Sequence, residues 1–218
     1  MHPTDHGARA RAVYDATADA YVEAIGTGID PSIEAPGDRA LLTSFAEAAA
    51  VAGGTIADLG CGPGRVTALM ADHGVPAVGL DLSVAMARAG RAAHPHLAIG
   101  VGDLRRLPVA ASSVGGAVCW YSIIHTPAAE LSPLFAEVAR ILVGGAPLLV
   151  AFQTADDERI DRADAHGSGL PLTSFRHHVD TVAAALSGSG FDVERTTVRP
   201  PAADHEQTDQ AFVLARRR

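Results

Sequence analysis

Apolar positions along this chain recur with two different periods, and the change between them marks out its elements. Over residues 8–25, Val13, Tyr14, Ala18, Tyr21, Val22 and Ile25 fall three and four apart, which puts them on one face of a helix. GTGIDPSIEAPG (26–37) breaks that spacing with Gly and Pro and reads as a loop. Helical spacing resumes over 38–51 through Leu41, Leu42, Phe45 and Ala49. From Gly54 onward, short apolar runs alternate with helical stretches. TIADLG (55–60), AVGLD (77–81), LAIGVGD (97–103), GAVCWYS (116–122) and PLLVAF (147–152) read as strands. Helices are predicted at 65–73, after Ser83 as a candidate N-cap, and at about 128–142. This alternation predicts right-handed βαβ units, hence an α/β fold with a mostly parallel sheet and helices on both faces. TADDERIDRADAHGSGLPLTSF (154–175) is polar and turn-rich and reads as a surface excursion. A helix at 177–190 and two strands at 191–200 and 210–216 close the chain as an antiparallel hairpin, giving seven strands in all. No repeat of fixed period interrupts the pattern. The expectation is a single domain over 1–218, with 1–50 as an N-terminal helical lid and 154–178 as the surface excursion.

Composition narrows the class. With 218 residues and 48% hydrophobic side chains, the chain can bury a substantial core. Its longest apolar runs, such as 146–152, are far too short to cross a bilayer, and MHPTDHGARARAVYDATADAY lacks the apolar core of a secretory signal. A cytoplasmic chain without membrane association is expected. The formal charge of −8 argues against nucleic acid as a partner, and Arg216–Arg218 reads as a solvated tail. All seventeen basic residues are arginine, which excludes a lysine base or Schiff base. Cys61 and Cys119 suggest neither a disulfide framework nor a metal site.

The strongest chemical signal is DLGCGPG (58–64), where a strand feeds a helix. Gly60, Gly62 and Gly64 allow a tight turn and close approach of a ligand to the backbone. Asp58 at the strand end is placed to organise that loop or meet a cationic group. Asp81 ends the next strand, 21 residues after Gly60, the separation at which an acid accepts hydrogen bonds from ribose hydroxyls in nucleotide-binding α/β folds. Asp103 ends the third strand. Three successive aspartates thus mark one carboxyl edge of the sheet, the edge at which open parallel sheets bind ligands.

ADLGCGPGRVTALM (57–70) resembles the glycine-rich motif of the class I S-adenosylmethionine-dependent methyltransferases, small bacterial members in particular. GLDLS (79–83), GDLRRLP (102–108) and WYSIIH (120–125) resemble that family's successive cofactor segments, and the resemblance spans about residues 10–216. It implies a Rossmann-like fold and S-adenosyl-L-methionine as cofactor, with S-adenosyl-L-homocysteine as product. By resemblance the loop with Asp58, Gly60, Cys61, Gly62 and Gly64 holds the methionine portion, and Asp81 holds the ribose. Leu82 and Met86 flank the adenine, Asp103 and Leu104 lie at its edge, and Trp120 lies beside the cofactor. Tyr14 and Tyr21 either cover the methionine end or make amphipathic core contacts.

The cofactor's methyl group is intrinsically electrophilic, so alignment of a small-molecule acceptor and exclusion of water are the main tasks. His125, after the fourth strand, is the candidate base; the alternative is a structural histidine that orients its loop. His166, His177 and His178 read as solvated, and no metal site is indicated. A nicotinamide dinucleotide enzyme is the rival reading. Here the glycines run G-x-G-x-G with Pro63 inside, whereas the dinucleotide fingerprint is G-x-G-x-x-G. A cofactor-binding protein without turnover is the third reading. The accepting atom and the oligomeric state stay open.

Overall fold

The computed structural model describes residues 6–203 and 205–218. Helices α1 (His6–Ile25) and α2 (Pro36–Ala52) precede the sheet. Then come β1 (Ile56–Leu59), α3 (Arg65–Asp72), β2 (Ala77–Asp81), α4 (Val84–Ala93), β3 (Ala98–Val101) and β4 (Gly116–Trp120). A 3-10 turn at Ile123–His125 leads to α5 (Ala128–Ile141) and β5 (Pro147–Gln153). The chain ends with β6 (Glu158–Arg162), β7 (Leu172–Arg176), α6 (Val179–Gly188), β8 (Phe191–Arg199) and β9 (Gln210–Arg217).

Seven strands form one sheet in the order β3-β2-β1-β4-β5-β9-β8. β1 to β5 run parallel, while β9 pairs antiparallel with both β5 and β8. The expected Rossmann-like α/β architecture with its terminal hairpin is therefore present. Strand order reverses between β1 and β4, so the chain leaves a crevice above their carboxyl ends.

Strand alternation divides the core in two. On β4, Ala117 and Cys119 face one side and Val118 and Trp120 the other, as successive side chains in a strand must. The first side packs under α5 and α6 through Leu134, Phe135, Val138, Val182 and Leu186. The second packs under α2 and α3 through Leu42, Phe45, Val66 and Met70. Each such fully buried side chain contributes about 1.5–3 kcal/mol relative to exposure. α2 is also clamped to the sheet by a cluster of charges. Arg199 of β8 pairs with Asp38, which is buried, and with Glu206 at 2.7 Å.

α1 buries Ala10, Val13, Thr17 and Ala18, again three and four apart. Its Asp15 accepts from Ser83 Oγ at 2.6 Å and from the Ala85 amide at 3.0 Å, so one helix supplies a carboxylate to the N-terminus of another. Ser83 caps α4 as expected, its Oγ accepting from the Met86 amide at 3.1 Å.

The segment read as a polar surface excursion is a correction. Residues 158–176 form a second, two-stranded antiparallel sheet whose register pairs Ile160 with Ser174 and Arg162 with Leu172. Leu172, Thr173 and Ser174 are buried, and Leu172 and Ala165 pack against Ala10 and Val13 of α1. Its outer polar residues masked a strand whose inner face is covered by α1. His177, expected to be solvated, is buried as well, its ring 6.1 Å from that of Phe175. His178 caps α6, its Nδ1 accepting from the Asp180 amide at 3.2 Å.

Candidate active site

The loop after β1 is built around two glycines that no other residue replaces without strain. Gly60 has φ +77° and Gly62 φ +54°. A Cβ on Gly60 would lie 2.3 Å from the Ser122 Cβ, because the loop crosses closely under the segment that follows β4. The amides of Gly60 and Cys61 both donate to the Leu80 carbonyl, at 2.7 and 3.1 Å, tying the loop to β2. Asp81 completes the turn. Its Oδ2 accepts from the Gly62 amide at 2.7 Å and its Oδ1 from the Ser83 amide at 2.8 Å. Burial pushes its carboxyl pKa upward, and these two amides oppose that shift. Each oxygen keeps further acceptor capacity.

A cavity of about 290 Å³ opens along the carboxyl edge of β1, β2 and β4. Gly60, Gly62, Asp81, Leu82, Met86 and Trp120 contribute to its walls, together with Asp103 and Leu104 beyond β3. Tyr14 and Tyr21 close it from α1, and His125 closes it from the 3-10 turn. Asp58, Cys61 and Gly64 stand behind this wall. Asp58 is buried and accepts from Thr67 Oγ1 at 2.6 Å, and burial pushes its pKa up to about 7. The Cys61 thiol lies against Gly79, and burial drives its pKa well above the ordinary thiol value. A Cβ on Gly64 would meet Ile99, so that glycine serves packing behind the loop. Asp103 is held by Arg105 at 2.8 Å.

Several polar atoms here have no partner among the described residues. Trp120 Nε1 and Ser122 Oγ are both buried without one, and both residues line the cavity. Tyr121 between them has φ +56°, a strained conformation for an aromatic residue, and its ring stands edge-on to Trp120 at 5.6 Å. The bend carries the chain out of β4 and turns Ser122 toward Gly60. Sequence reading missed Ser122, Tyr121 and the capping Asp15, since none lies in a glycine- or acid-marked position. Among the described residues no three His, Cys, Asp or Glu side chains gather as a metal site would require. No helix among them is long and apolar enough to cross a membrane.

Residues 56–145, from β1 to just before β5, match the family model of the methyltransferase domain. That stretch of the chain thus carries a methyltransferase domain. A domain of this family is an enzyme domain. No curated protein matches the sequence. Among solved structures, this chain is similar to magnesium protoporphyrin IX methyltransferase from Synechocystis PCC 6803 with bound S-adenosylmethionine. That match has 17% identity and a TM-score of 0.74, covering 100% of both chains. An S-adenosylmethionine-dependent methyltransferase from Mesorhizobium loti matches at 22% identity and TM-score 0.67, over 84% of this chain and 99% of that one. The cyclase SpnF matches at 15% identity and TM-score 0.74, over 99% and 98% of the two chains. At these identities the structural likeness establishes the fold, and the last match is a reminder that one fold carries more than one named activity.

Proposed function

We propose that this chain transfers the methyl group of S-adenosylmethionine to a small-molecule acceptor by in-line displacement, mainly through positioning. One observation carries the reading: a single cavity gathers the glycine loop, Asp81, the Leu82–Met86 segment and Trp120 with Tyr14 and His125 at its far side. The bound cofactor supplies an electrophilic methyl group. The chain's own residues do the rest. Backbone at Gly60 and Gly62 admits the methionine portion, and Asp81 accepts from the ribose hydroxyls with its remaining lone pairs. Leu82 and Met86 flank the adenine, with Asp103 and Leu104 at its edge. Asp58, Cys61 and Gly64 act from behind, shaping the loop. Tyr14 and Tyr21 cover the methionine end and exclude water, and His125 faces the acceptor space.

The partnerless Trp120 Nε1 and Ser122 Oγ support occupancy of this cavity by a ligand with acceptor atoms. The cavity's size and the charge of −8 favour a small metabolite over nucleic acid or protein. A dinucleotide reading fares poorly, because the strand beside β5 is the antiparallel β9 and not the first strand of a second mononucleotide half. The whole described chain works as one unit, with α1 roofing the site and the β6–β7 hairpin packed against α1.

The test uses methyl-labelled S-adenosylmethionine with a fractionated cell extract as acceptor source. Label entering the small-molecule fraction is expected. Label entering only protein or RNA would refute the acceptor class, and cofactor binding without any transfer would favour the reading of a binding protein without turnover.

A further inference from the structure

Three groups are hydrogen-bonded in series from the β6–β7 hairpin to the cavity wall. The Thr173 carbonyl of β7 lies 2.8 Å from His125 Nδ1, and His125 Nε2 lies 3.0 Å from the Tyr14 hydroxyl. A backbone carbonyl only accepts, so Nδ1 carries the proton and donates it. Nε2 of the neutral ring therefore presents its lone pair, and the Tyr14 hydroxyl must be the donor to it. One carbonyl fixes the direction of the whole series. Tyr14 lines the cavity, and with its own proton committed to His125 its oxygen is left only as an acceptor toward a ligand. Both ring nitrogens of His125 are engaged, which leaves the imidazole no free lone pair with which to meet an acceptor molecule directly.

Resting on the methyltransferase reading above, we propose that Tyr14 is the catalytic residue that takes the acceptor's proton while passing its own to His125, and that the acceptor therefore carries an O–H or N–H at its reacting atom. The acceptor's lone pair forms the new bond to the methyl carbon, and the C–S bonding pair stays on sulfur. The acceptor's proton moves to Tyr14 Oη, and the tyrosine's original proton moves to His125 Nε2. Tyrosine ends neutral, and the positive charge lost at sulfur reappears on the imidazolium, which still donates from Nδ1 to Thr173. His125 is the positioning residue behind Tyr14, and Thr173 sets its tautomer.

The surroundings agree with a concerted passage. Burial pushes the Tyr14 hydroxyl pKa far up, so a standing tyrosinate is excluded. Burial lowers the pKa of His125, and His166, Arg162 and His6 add further opposition to its cation. These groups come from the β6–β7 loop, β6 and α1, while Tyr21 of α1 and Asp81 of β2 face Tyr14 and Arg162 opposes their effect. The imidazolium thus loses its proton readily after transfer, which resets the series.

Calorimetry with S-adenosylhomocysteine comes first, because absence of binding defeats the methyltransferase reading and not the relay. The relay is then read in the complex by nitrogen-15 NMR of histidine-labelled protein. Wild type should show His125 protonated at Nδ1, with Nε2 displaced from its unbonded position. Tyr14→Phe, which keeps the ring, should move Nε2 to the unbonded position while Nδ1 stays put in the S-adenosylhomocysteine complex. An Nε2-protonated ring in wild type, or an unmoved Nε2 in the variant, overturns the proposal. With labelled cofactor and a matched phenol, aniline, thiophenolate and benzoate series, transfer to phenol or aniline is expected. Tyr14→Phe should then lower kcat by about 10²–10⁴-fold and abolish the acid limb of its pH profile. An unchanged kcat, or transfer confined to thiophenolate and benzoate, is the contrary result.

Discussion

Asp81→Asn separates the two tasks assigned to this carboxylate, holding the loop and holding a ligand. In the folded chain Asp81 accepts the Gly62 amide on one oxygen and the Ser83 amide on the other. Asparagine keeps a single oxygen, so one amide loses its partner at a cost of about 1–3 kcal/mol. The same change removes a carboxylate whose pKa burial already pushes upward, so the neutral amide is easier to bury and offsets part of that cost. The melting temperature should therefore move little. Ligand affinity has no such compensation. Ribose hydroxyls lose charge-assisted bonds of roughly 1.5–3 kcal/mol, which raises the dissociation constant about 10- to 150-fold. Calorimetric titration with S-adenosylhomocysteine reads the second effect and thermal melting the first. A variant that melts normally and binds with undiminished affinity would refute the ribose assignment. A variant that fails to fold would show that the loop contacts dominate.

Three other outcomes follow from the same geometry. Gly60→Ala should lose both stability and ligand binding, since its Cβ would meet Ser122 at 2.3 Å and its φ is +77°, whereas Gly62→Ala, with open space, should pay only the backbone strain of about 1–2 kcal/mol; chemical denaturation of both variants compares them. Asp58, with its pKa pushed up to about 7 from the ordinary 3.8, keeps its proton in the folded chain where the unfolded chain has released it. Its contribution to stability therefore falls as pH rises through that window, by a few kcal/mol at most, and Asp58→Asn should flatten the pH dependence and raise stability at pH about 8; denaturation curves that still fall equally in the variant would contradict this. Leu172→Ala should cost about 2–4 kcal/mol or release β6–β7 from α1, which hydrogen exchange of the hairpin amides will show.

Much of the fold was legible because it is written in local periods. β2 falls where AVGLD predicts it, and Ser83 caps α4 as its position suggests. The β-strand runs around Asp58 and Trp120 are buried on both faces, so their continuous apolar character needs no distant partner to be read. The β6–β7 hairpin was hidden for the opposite reason. Its stabilising face depends on Ala10 and Val13, some 150 residues away, and its own sequence shows mainly the solvated side. His177 was misread likewise, because stacking on Phe175 and burial near Phe152 are tertiary facts. In the site, the glycines and Asp81 announce themselves by spacing. The Tyr14–His125–Thr173 series does not, since its members come from three elements that meet only in the folded chain.

The central claim, that this cavity is built for S-adenosylmethionine chemistry, is tested most directly by parallel calorimetric titrations of the full chain with S-adenosylhomocysteine and with NAD. Saturable binding of S-adenosylhomocysteine to one site, lost on Asp81→Asn, with no measurable heat for NAD, is the predicted result. Tight binding of NAD with none of S-adenosylhomocysteine would contradict the account.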